Sequence, residues 1–454
     1  MDIDRIKTVY FLGIGGIGMS ALAGYFLQRN CKVYGYDLTP TGITDKLIRE
    51  GAVIHFKEDV KLIPEHTDIV IHTPAVPKTH AEYRFFEDHG IPVYKRAEIL
   101  GWITEKHHTI AVAGTHGKTT TSALISHILY PEINITAFIG GLLKNSGTNF
   151  IAGQKDSIMV AEADEYDRSF LQLHPTTAII TSMDADHLDI YGEKDMLENS
   201  FRQFSMQIRD NGALIIHENI AGKIDRANKI TYGFHRNSDY FATDIELFPD
   251  KTVFTLHHHE KVFRNITIGI PGEYNLLNGL AAIAAVREQF KGKGVPGYDF
   301  IFDKLASFEG VKRRFDYRIY RDDLVYIDDY AHHPKEISSV IDAVKAAFPN
   351  KKITGIFQPH LYSRTKDFGT EFARSLEKLD RIILLDIYPA REEPIPEISS
   401  EWLLDLIRNH NKILLPFDEV LPFLENHPPE VLLTIGAGNI DKLVPVLENG
   451  LNRE

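Results

Sequence analysis

Two features are nearly absent from this 454-residue sequence: cysteine and long apolar runs. Its single cysteine, Cys31, excludes an internal disulfide and indicates a reducing compartment. No apolar run approaches the ~20 residues that a transmembrane helix needs. The first residues also lack the basic and apolar segments of a secretory leader. We therefore expect a cytoplasmic protein that does not insert into a membrane.

Basic residues are also in deficit. The chain has 50 Lys and Arg against 63 Asp and Glu, which leaves a formal net charge of −13. This charge opposes binding to a nucleic-acid backbone, so we expect no nucleic-acid partner, although a local basic pocket can still hold a phosphorylated small molecule. With 43% hydrophobic and 25% charged residues, the composition is that of an ordinary folded protein rather than a disordered one.

Short β-rich apolar runs alternate with helical patterns along most of the chain. This alternation is typical of βαβ units, which predict an α/β fold class with parallel sheets covered by helices. The length exceeds what one hydrophobic core supports and suits roughly three domains. We place the domains at residues 1–106, 107–312 and 313–454, with an antiparallel β appendage at about 240–270 in the second.

The segment AVAGTHGKTTT, residues 111–121, lies where a predicted strand ends and a helical pattern begins. Backbone N–H groups near Gly114 and Gly117 would face an anion at the helix N-terminus. Lys118 would then reach the β- and γ-phosphates of a nucleotide, and Thr119 could bind Mg²⁺. The segment therefore predicts a phosphate-binding loop for a nucleoside triphosphate.

Acidic residues follow two apolar strands of the predicted second domain. Ligands bind at the carboxyl ends of the strands in open α/β sheets, and oxygen ligands with one imidazole suit Mg²⁺ or Mn²⁺ better than structural zinc. Beside a phosphate loop, such a site predicts metal-assisted phosphoryl transfer. Any one of these acids could instead cap a helix or face solvent. The candidates are Glu162, Asp164, Glu165 and Asp167 after the first strand, and Asp184, Asp186, His187 and Asp189 after the second.

A glycine-rich segment, GIGGIG at Gly13–Gly18, follows the first predicted strand, and Asp37 ends the next one. Taken alone, this spacing matches the dinucleotide fingerprint, with Asp37 placed to bond a ribose hydroxyl. Glycines at a helix N-terminus accept any diphosphate, however, including that of a nucleotide sugar. An NAD-dependent oxidoreductase and a protein that binds a nucleotide sugar therefore both remain open at this point.

Histidines and an arginine gather after two strands of the third predicted domain. They lie in IDDYAHHP and IFQPHLYSRT, at a presumed sheet edge. Cationic and imidazole groups there could bind a carboxylate. The candidates are His332, His333, His360 and Arg364.

Taken together and in this order, the motifs resemble those of the Mur ligase family, the ATP-dependent amino-acid ligases of peptidoglycan synthesis. The resemblance covers essentially the whole chain. Its segments are GTHGKTTT at 114–121, EADE at 162–165, DHLD at 186–189, YNLLNGLAA at 274–282, GVKRRFD at 310–316, DDYAHHP at 328–334 and FQPH to SRT at 357–365.

The resemblance implies three domains: a Rossmann-like nucleotide-sugar domain, a central P-loop ATPase-like domain and a C-terminal Rossmann-like domain. GIGGIGMS and the FQPH segment resemble the branch that joins L-alanine to the lactyl carboxylate of UDP-N-acetylmuramate. That branch uses ATP and proceeds through an acyl phosphate. A branch that adds an intact tripeptide to the same nucleotide sugar stays an alternative, as do the oxidoreductase and a nucleotide-dependent regulatory module.

The resemblance also implies roles for individual residues. ATP would be held by Gly114, Thr115, His116, Gly117, Lys118, Thr119, Thr120, Asn275, Asn278 and Arg314. The UDP-sugar would be held by Gly15, Gly16, Ile17 and Asp37. L-Alanine would be held by Tyr330, His360 and Arg364. Mg²⁺, with Mn²⁺ as the alternative ion, would be held by Thr119, Glu162 and His187. The catalytic residues would be Lys118 and His187.

Three positions depart from the family pattern. Leu361 stands where the alanine-adding enzymes usually carry arginine, which opens the question of selectivity among L-alanine, glycine and L-serine. Tyr274 stands where histidine is usual, next to the predicted adenine pocket. Phe201 falls where other branches carry a carbamylated lysine. Hinges between the domains are expected near His107 and Lys312.

Overall fold

The computed structural model of the protein describes residues 3–184, 194–292, 296–390 and 392–452. Within it the chain forms two units. The first comprises the described residues up to 241 together with residues 278–304, and the second comprises residues 242–277 and the described residues from 305 onward. The chain passes from one unit to the other within a strand, Tyr240–Leu247, and within two helices, Glu273–Gln289 and Tyr298–Ala306.

The first unit contains a five-stranded sheet with the order β3-β2-β1-β4-β5, in which neighbouring strands are parallel. The strands are β1 Thr8–Leu12, β2 Lys32–Tyr36, β3 Val53–His55, β4 Ile69–His72 and β5 Val93–Lys95. The helices that alternate with them are α1 Ile17–Gln28, α2 Gly42–Arg49, α3 Ala81–Asp88 and α4 Arg96–Glu105. α2 begins with a capping box in which the Thr41 and Thr44 side chains satisfy backbone N–H groups at the helix start.

The same unit contains a second sheet, in which strands run in the order β12-β11-β10-β6-β9-β7-β8. They are β6 Thr109–Ala113, β7 Ile135–Phe138, β8 Phe150–Ile151, β9 Ile158–Glu162, β10 Thr177–Ile180, β11 Ala213–His217 and β12 Lys229–Gly233. The first two residues of β13, Tyr240–Leu247, pair with β12. The helices are α5 Lys118–Leu129, α6 Lys194–Met206, α7 Glu273–Gln289 and α8 Tyr298–Ala306. β6 is buried throughout and lies between β10 and β9.

The second unit contains an antiparallel hairpin and a six-stranded sheet with the order β16-β17-β21-β18-β19-β20. The hairpin strands are β14 Thr252–His258 and β15 Lys261–Ile268. The sheet strands are β16 Asp316–Tyr320, β17 Val325–Asp329, β18 Ile353–Phe357, β19 Arg381–Leu384, β20 Lys412–Leu414 and β21 Val431–Ile435. The helices are α9 Pro334–Ala347, α10 Tyr362–Leu376, α11 Ser400–Leu406, α12 Phe417–Asn426 and α13 Leu443–Leu451. Only β16 runs antiparallel to its neighbour in this sheet, among the strands described.

Continuous apolar runs in the strands of this sheet reflect burial on both faces. Ile327 on β17 and Leu433 on β21 contribute to one hydrophobic cluster, whereas their strand neighbours Tyr326 and Leu432 contribute to another. Successive side chains of a strand point to opposite faces, so each strand supplies both clusters. The predicted α/β fold class is confirmed, and the antiparallel appendage corresponds to the hairpin of β14 and β15.

The strands that precede the acidic motifs, β9 and β10, lie on either side of β6 and are therefore near neighbours in one sheet. Across the part of the chain that the structure covers, no helix has the length and apolar character to cross a bilayer.

Helix α1 of the first sheet packs against β8 of the second. The Asn149 side chain donates from Nδ2 to the carbonyl oxygen of Ile17 at 2.6 Å and to Oγ of Ser20 at 3.0 Å. One turn further along α1, a Cβ atom on Gly24 would lie 2.9 Å from a ring carbon of Phe150. Gly24 therefore permits the aromatic ring to lie directly against the helix.

This contact predicts a cost for a single added methyl group. We expect Gly24→Ala to lower the free energy of unfolding by about 1–3 kcal/mol relative to Gly42→Ala, because the Phe150 ring has to move. Gly42 is the matched control, since a Cβ there meets no atom within 4 Å. Urea unfolding of the two variants measures the difference. Equal midpoints and slopes would show that the ring moves without cost.

Candidate active site

Residues 114–117 form the loop between β6 and α5. Gly114 has a φ of +132° and Gly117 a φ of +80°, backbone conformations that favour glycine. Space is also short, because a Cβ atom on Gly117 would lie 2.4 Å from Oδ1 of Asn278. The two glycines thus allow the chain to turn sharply from a central strand into the N-terminus of α5, where backbone N–H groups can bind an anion.

Lys118, the first residue of α5, has partners on two sides. Its Nζ atom donates to the carbonyl oxygen of Gly114 at 2.7 Å and to the two carboxylate oxygens of Glu165 at 2.7 and 3.0 Å. Glu165 is fully buried. Burial by itself would lower the pKa of Lys118, but the attraction of Glu165 and two further carboxylates raises that pKa above its ordinary value. The ammonium group therefore stays charged.

Glu162, the last residue of β9, meets Thr119 of α5. Oγ1 of Thr119 donates to Oε2 of Glu162 at 3.0 Å, and the backbone N–H of Gly140 donates to the same oxygen, also at 3.0 Å. A Cβ atom on Gly140 would lie 2.1 Å from that oxygen. A hydroxyl and a carboxylate are ligands that Mg²⁺ prefers, so this pair fits the ion. The third predicted ligand, His187, lies outside the described residues together with the rest of the DHLD motif.

The segment after β10 braces the phosphate loop. Oγ of Ser182 accepts a hydrogen bond from the backbone N–H of His116 at 2.9 Å and lies 2.8 Å from Oγ1 of Thr115. The N–H of Asp184 donates to Oγ1 of Thr115 at 3.1 Å, and the Asp184 carboxylate lies 3.4 Å from Nε2 of His116. Asp184, a metal-ligand candidate by its position in the sequence, thus contacts the phosphate loop together with Ser182. Local spacing predicts neither contact.

Asn275 and Asn278 lie one turn apart on α7. Asn278 accepts a hydrogen bond from Oγ1 of Thr121 at 3.2 Å, which places it against α5 within the first unit. Thr120, the next predicted ATP ligand, is buried in α5. In the second unit, Asn275 donates from Nδ2 to the carbonyl oxygen of Pro271 at 2.7 Å. The structure thus brings Asn278 to the phosphate loop and gives Asn275 a role in closing the first turn of α7.

The N-terminal glycine loop is held by Asp37. The N–H of Gly15 donates to Oδ2 of Asp37 at 2.7 Å, and a Cβ atom on Gly15 would lie 2.9 Å from that oxygen. Gly16 is the residue before α1, and Ile17 is the first residue of the helix. The four residues predicted to bind the UDP-sugar therefore lie together at the N-terminus of α1, with Asp37 already engaged by the loop.

Two basic residues at the start of α4 link this loop to the segment after β9. The Arg96 guanidinium lies 3.0 Å from where a Cβ atom of Gly18 would be, and it is 3.8 Å from the carboxylate of Asp164. Lys95 forms an ion pair with Asp167 at 2.5 Å. Sequence reasoning missed this link, since Lys95 and Arg96 belong to no motif.

Within the described residues, no group of three or more His, Cys, Asp or Glu forms a metal-binding cluster.

In the second unit, His360 and Arg364 lie one turn apart at the start of α10. Nδ1 of His360 is 3.3 Å from a terminal nitrogen of Arg364, and the His360 ring stacks on Tyr388 with 5.7 Å between ring centroids. Arg364 is 7% exposed. Leu361, between them, has a φ of +73°, a strained conformation for a bulky residue. Two hydrogen bonds hold Leu361 in this conformation. Its N–H donates to the carbonyl oxygen of Tyr388, and its own carbonyl oxygen accepts from Thr365.

Tyr330 lies near the same sheet edge, where β17 ends. Its ring contacts His332 with 5.3 Å between centroids, and His332 in turn lies 6.2 Å from His360. The guanidinium carbon atoms of Arg313 and Arg314 lie over the Tyr330 ring, 5.2 and 4.9 Å from its centroid. The structure therefore brings Tyr330 to the edge where His360 lies and also against Arg314, the predicted phosphate ligand.

Asp329, the last residue of β17, ties down the turn that carries these arginines. Its carboxylate accepts hydrogen bonds from the N–H of Phe315 at 2.7 Å and from the N–H of Ala331 at 2.8 Å. Burial raises the pKa of Asp329 to about 6, although Arg314 and the two N–H groups act in the opposite direction. Burial therefore makes the charged form of this carboxyl group less favourable in the folded state than in the unfolded state.

Three models of one family match the chain. They are described as the Mur ligase family catalytic domain, the Mur ligase middle domain and the Mur ligase glutamate ligase domain, and they match residues 8–108, 112–286 and 313–427.

Known proteins resemble the chain over its full length. It is 46% identical to the UDP-N-acetylmuramate–L-alanine ligase of Flavobacterium psychrophilum, and the match covers 100% of both chains. The crystal structure of the UDP-N-acetylmuramate-alanine ligase from Thermotoga maritima superimposes with a TM-score of 0.81 at 26% identity, covering 98% of this chain and 99% of that one. A murein peptide ligase from Psychrobacter arcticus has a TM-score of 0.70 at 21% identity over 99% of both chains, which shows a common fold.

The raised pKa of Asp329 predicts a pH-dependent stability. Because folding raises this pKa from 3.8 to about 6, protonation of Asp329 favours the folded state. This contribution to the free energy of unfolding is fully present below about pH 4 and is lost as the pH rises through 6. We expect Asp329→Asn to remove this loss, so that the variant gains on the order of 3 kcal/mol relative to the wild type between pH 4 and pH 7. Urea unfolding across this range tests it. Asp322→Asn, on the exposed turn before β17, should track the wild type, and parallel curves for Asp329→Asn would refute the assignment.

Proposed function

Because the chain belongs to the Mur ligase family, we infer that it catalyses the ATP-dependent ligation of L-alanine to UDP-N-acetylmuramate, a step of peptidoglycan precursor synthesis. The full-length identity of 46% to a ligase of that name carries this inference. The phosphate loop supports it, since Lys118 and the N-terminus of α5 form an anion site at the carboxyl end of a central strand. The substrates are ATP, UDP-N-acetylmuramate and L-alanine.

We propose that the loop at Gly114–Thr120 binds the phosphates of ATP and that Asn278 and Asn275 shape the adenine pocket. Arg314 would contribute a further contact to the phosphates. Thr119 and Glu162 would hold Mg²⁺ together with His187, and the bound ion would neutralise charge on the transferred phosphoryl group. The hydrogen bond between Thr119 and Glu162 supports this choice, because two hard oxygen ligands already converge there.

The UDP-sugar would bind at Gly15, Gly16 and Ile17, where the diphosphate meets the N-terminus of α1. Asp37 would act chiefly by holding the Gly15 N–H and hence the shape of the loop. L-Alanine would bind at Tyr330, His360 and Arg364, with the guanidinium of Arg364 facing its carboxylate. The proximity of His360 to Arg364 supports this assignment.

The reaction requires activation of a carboxylate, which is a poor electrophile. A lactyl carboxylate oxygen attacks the γ-phosphorus of ATP, the bond to the bridging oxygen of ADP breaks, and an acyl phosphate forms. The neutral amine of L-alanine then attacks the acyl carbon. The resulting tetrahedral intermediate loses inorganic phosphate, and a proton leaves the nitrogen. Lys118 stabilises the negative charge on the phosphoryl group, and His187 would orient an incoming substrate group.

The organisation proposed for this activity is three domains at residues 1–106, 107–312 and 313–454, with hinges near His107 and Lys312. Domain closure would exclude water that hydrolyses the acyl phosphate. We propose a cytoplasmic location, supported by the single cysteine, and no nucleic-acid partner, supported by the net charge of −13.

The alternatives account for less of the chain. A tripeptide-adding ligase would share the fold, yet the full-length relative at 46% identity is named an L-alanine ligase. An oxidoreductase would use the glycine loop near Asp37 but would leave the phosphate loop without a role. A regulatory module that binds ATP would not require an amino acid.

Phosphate release from ATP distinguishes these readings. With UDP-N-acetylmuramate and Mg²⁺ present, we expect release to depend on L-alanine and to be much weaker with L-Ala-γ-D-Glu-meso-diaminopimelate. Stimulation by the tripeptide alone would move the protein to the tripeptide-adding branch and make Leu361 a residue that selects for it. Silence with both acceptors would remove the ligase proposal and reopen the oxidoreductase.

Lys118→Ala should reduce ligation at least about 100-fold, because the charge that faces the phosphoryl group is lost. UDP-N-acetylmuramate binding, measured by calorimetry, should stay intact and so report a folded protein. Asp37→Ala should do the reverse and weaken sugar-nucleotide binding while sparing ATP. Lys223→Ala, which removes a lysine paired with Glu198 at 2.7 Å, is the matched control. Near-normal turnover of Lys118→Ala would contradict the assignment.

A further inference from the structure

The ring of Tyr330 contacts two arginines that differ in their other partners. Arg313 is fixed on three sides: its Nε donates to Asp328 at 3.1 Å, a terminal nitrogen donates to the Gly436 carbonyl oxygen at 2.6 Å, and its backbone N–H donates to Asp316 at 3.1 Å. These three hydrogen bonds fix the side chain and backbone of Arg313, so this residue stabilises the turn.

Arg314 has no such anchors. Among the described residues, its guanidinium has no hydrogen bond or ion pair. It lies over the Tyr330 ring, 4.9 Å from the centroid, and interacts electrostatically with the carboxylate of Asp329 without a hydrogen bond. Arg314 is partly buried as a residue. A half-buried guanidinium loses hydration without gaining a protein partner, which is unfavourable unless an anionic group binds it. The face of an aromatic ring offsets part of that cost and restricts where the cation lies.

The backbone around Arg314 is strained in a way that serves this contact. Arg313 has a φ of +61° and Phe315 a φ of +48°, left-handed conformations that cost free energy in residues other than glycine. Three hydrogen bonds hold the turn: Tyr330 N–H to the Arg313 carbonyl, Phe315 N–H to Asp329, and Arg313 N–H to Asp316. Two of them come from the end of β17, the segment that also carries Tyr330.

We propose that Tyr330 is a positioning residue that holds the guanidinium of Arg314 for a phosphate group of the nucleotide substrate. This inference rests on the proposed function and adds to the expected role of Tyr330 in the L-alanine site. Without the ring, the guanidinium is free to turn toward the buried carboxylate of Asp329, with which it already interacts electrostatically. The tyrosine hydroxyl takes no part in this, so phenylalanine should serve equally well.

The test is a double-mutant cycle with Tyr330→Leu, Arg314→Met and the double variant, measured as kcat/KM for ATP at saturating UDP-N-acetylmuramate and L-alanine. Tyr330→Leu should lower kcat/KM for ATP about 10-fold, and the double variant should be no worse than Arg314→Met. Tyr330→Phe, which keeps the ring, should restore most of the kcat/KM for ATP that Tyr330→Leu loses. Tyr320→Leu, which removes an exposed tyrosine of β16, is the control.

A second series keeps the shape of the side chain and so avoids a folding defect. Phenylalanine analogues with increasing ring fluorination at position 330 weaken the attraction of the ring for a cation without changing its size much. We expect kcat/KM for ATP, measured at saturating L-alanine, to fall step by step with fluorination. A purely structural role for the ring would show no such gradient.

The outcomes separate the inference from the proposed function. Multiplicative losses in the cycle, or a change confined to KM for L-alanine, would overturn the positioning role while leaving the ligase intact. Absence of L-alanine-dependent phosphate release in the wild type would instead remove the ligase proposal itself. Non-additive losses together with the fluorination gradient would establish that Tyr330 acts through Arg314.

Discussion

The ion pair between Lys118 and Glu165 is the constraint on which the phosphate loop depends. Both groups are shielded from water, and the cost of removing two charges from water is offset only when they lie close together with further hydrogen bonds. The 2.7 Å contact and the second bond from Lys118 to the Gly114 carbonyl meet that condition. The pair ties the loop after β6 to the segment after β9, so any phosphate that Lys118 binds competes with Glu165 for the ammonium group.

Three acids at the carboxyl end of one strand, β9, have three different partners. Glu162 accepts from Thr119 in the phosphate loop, Asp164 faces Arg96 beside the glycine loop of α1, and Glu165 holds Lys118. A short run of carboxylates therefore connects both proposed nucleotide sites within the first unit. This arrangement explains why a motif that suggests a metal cluster disperses its side chains: each carboxylate finds a cation or hydroxyl from a separate element.

The second unit uses strain to present its cationic groups. Leu361 beside His360, and Arg313 and Phe315 on either side of Arg314, all have positive φ values. Hydrogen bonds hold each of them: Tyr388 and Thr365 bond to Leu361, and the end of β17 bonds to Arg313 and Phe315. Tertiary contacts thus maintain conformations that the local chain disfavours. Leu361 also shows why the departure from the family pattern matters, because the residue that replaces the expected arginine occupies a constrained turn between two proposed ligands of L-alanine.

The sequence alone determined the α/β class, the strand-to-helix position of the phosphate loop and the glycines at 114 and 117, because periodicity and the demand for positive φ are local properties of the chain. It also brought Asp37 and the glycine loop into one motif. Only the tertiary structure decided that Glu165 holds Lys118, that Ser182 braces the loop, that β6 separates the two acidic strands, and that Tyr330 lies against Arg314. These contacts join residues that are distant in the sequence or that lie in strained turns. Packing and charge, rather than sequence spacing, determine which residues meet.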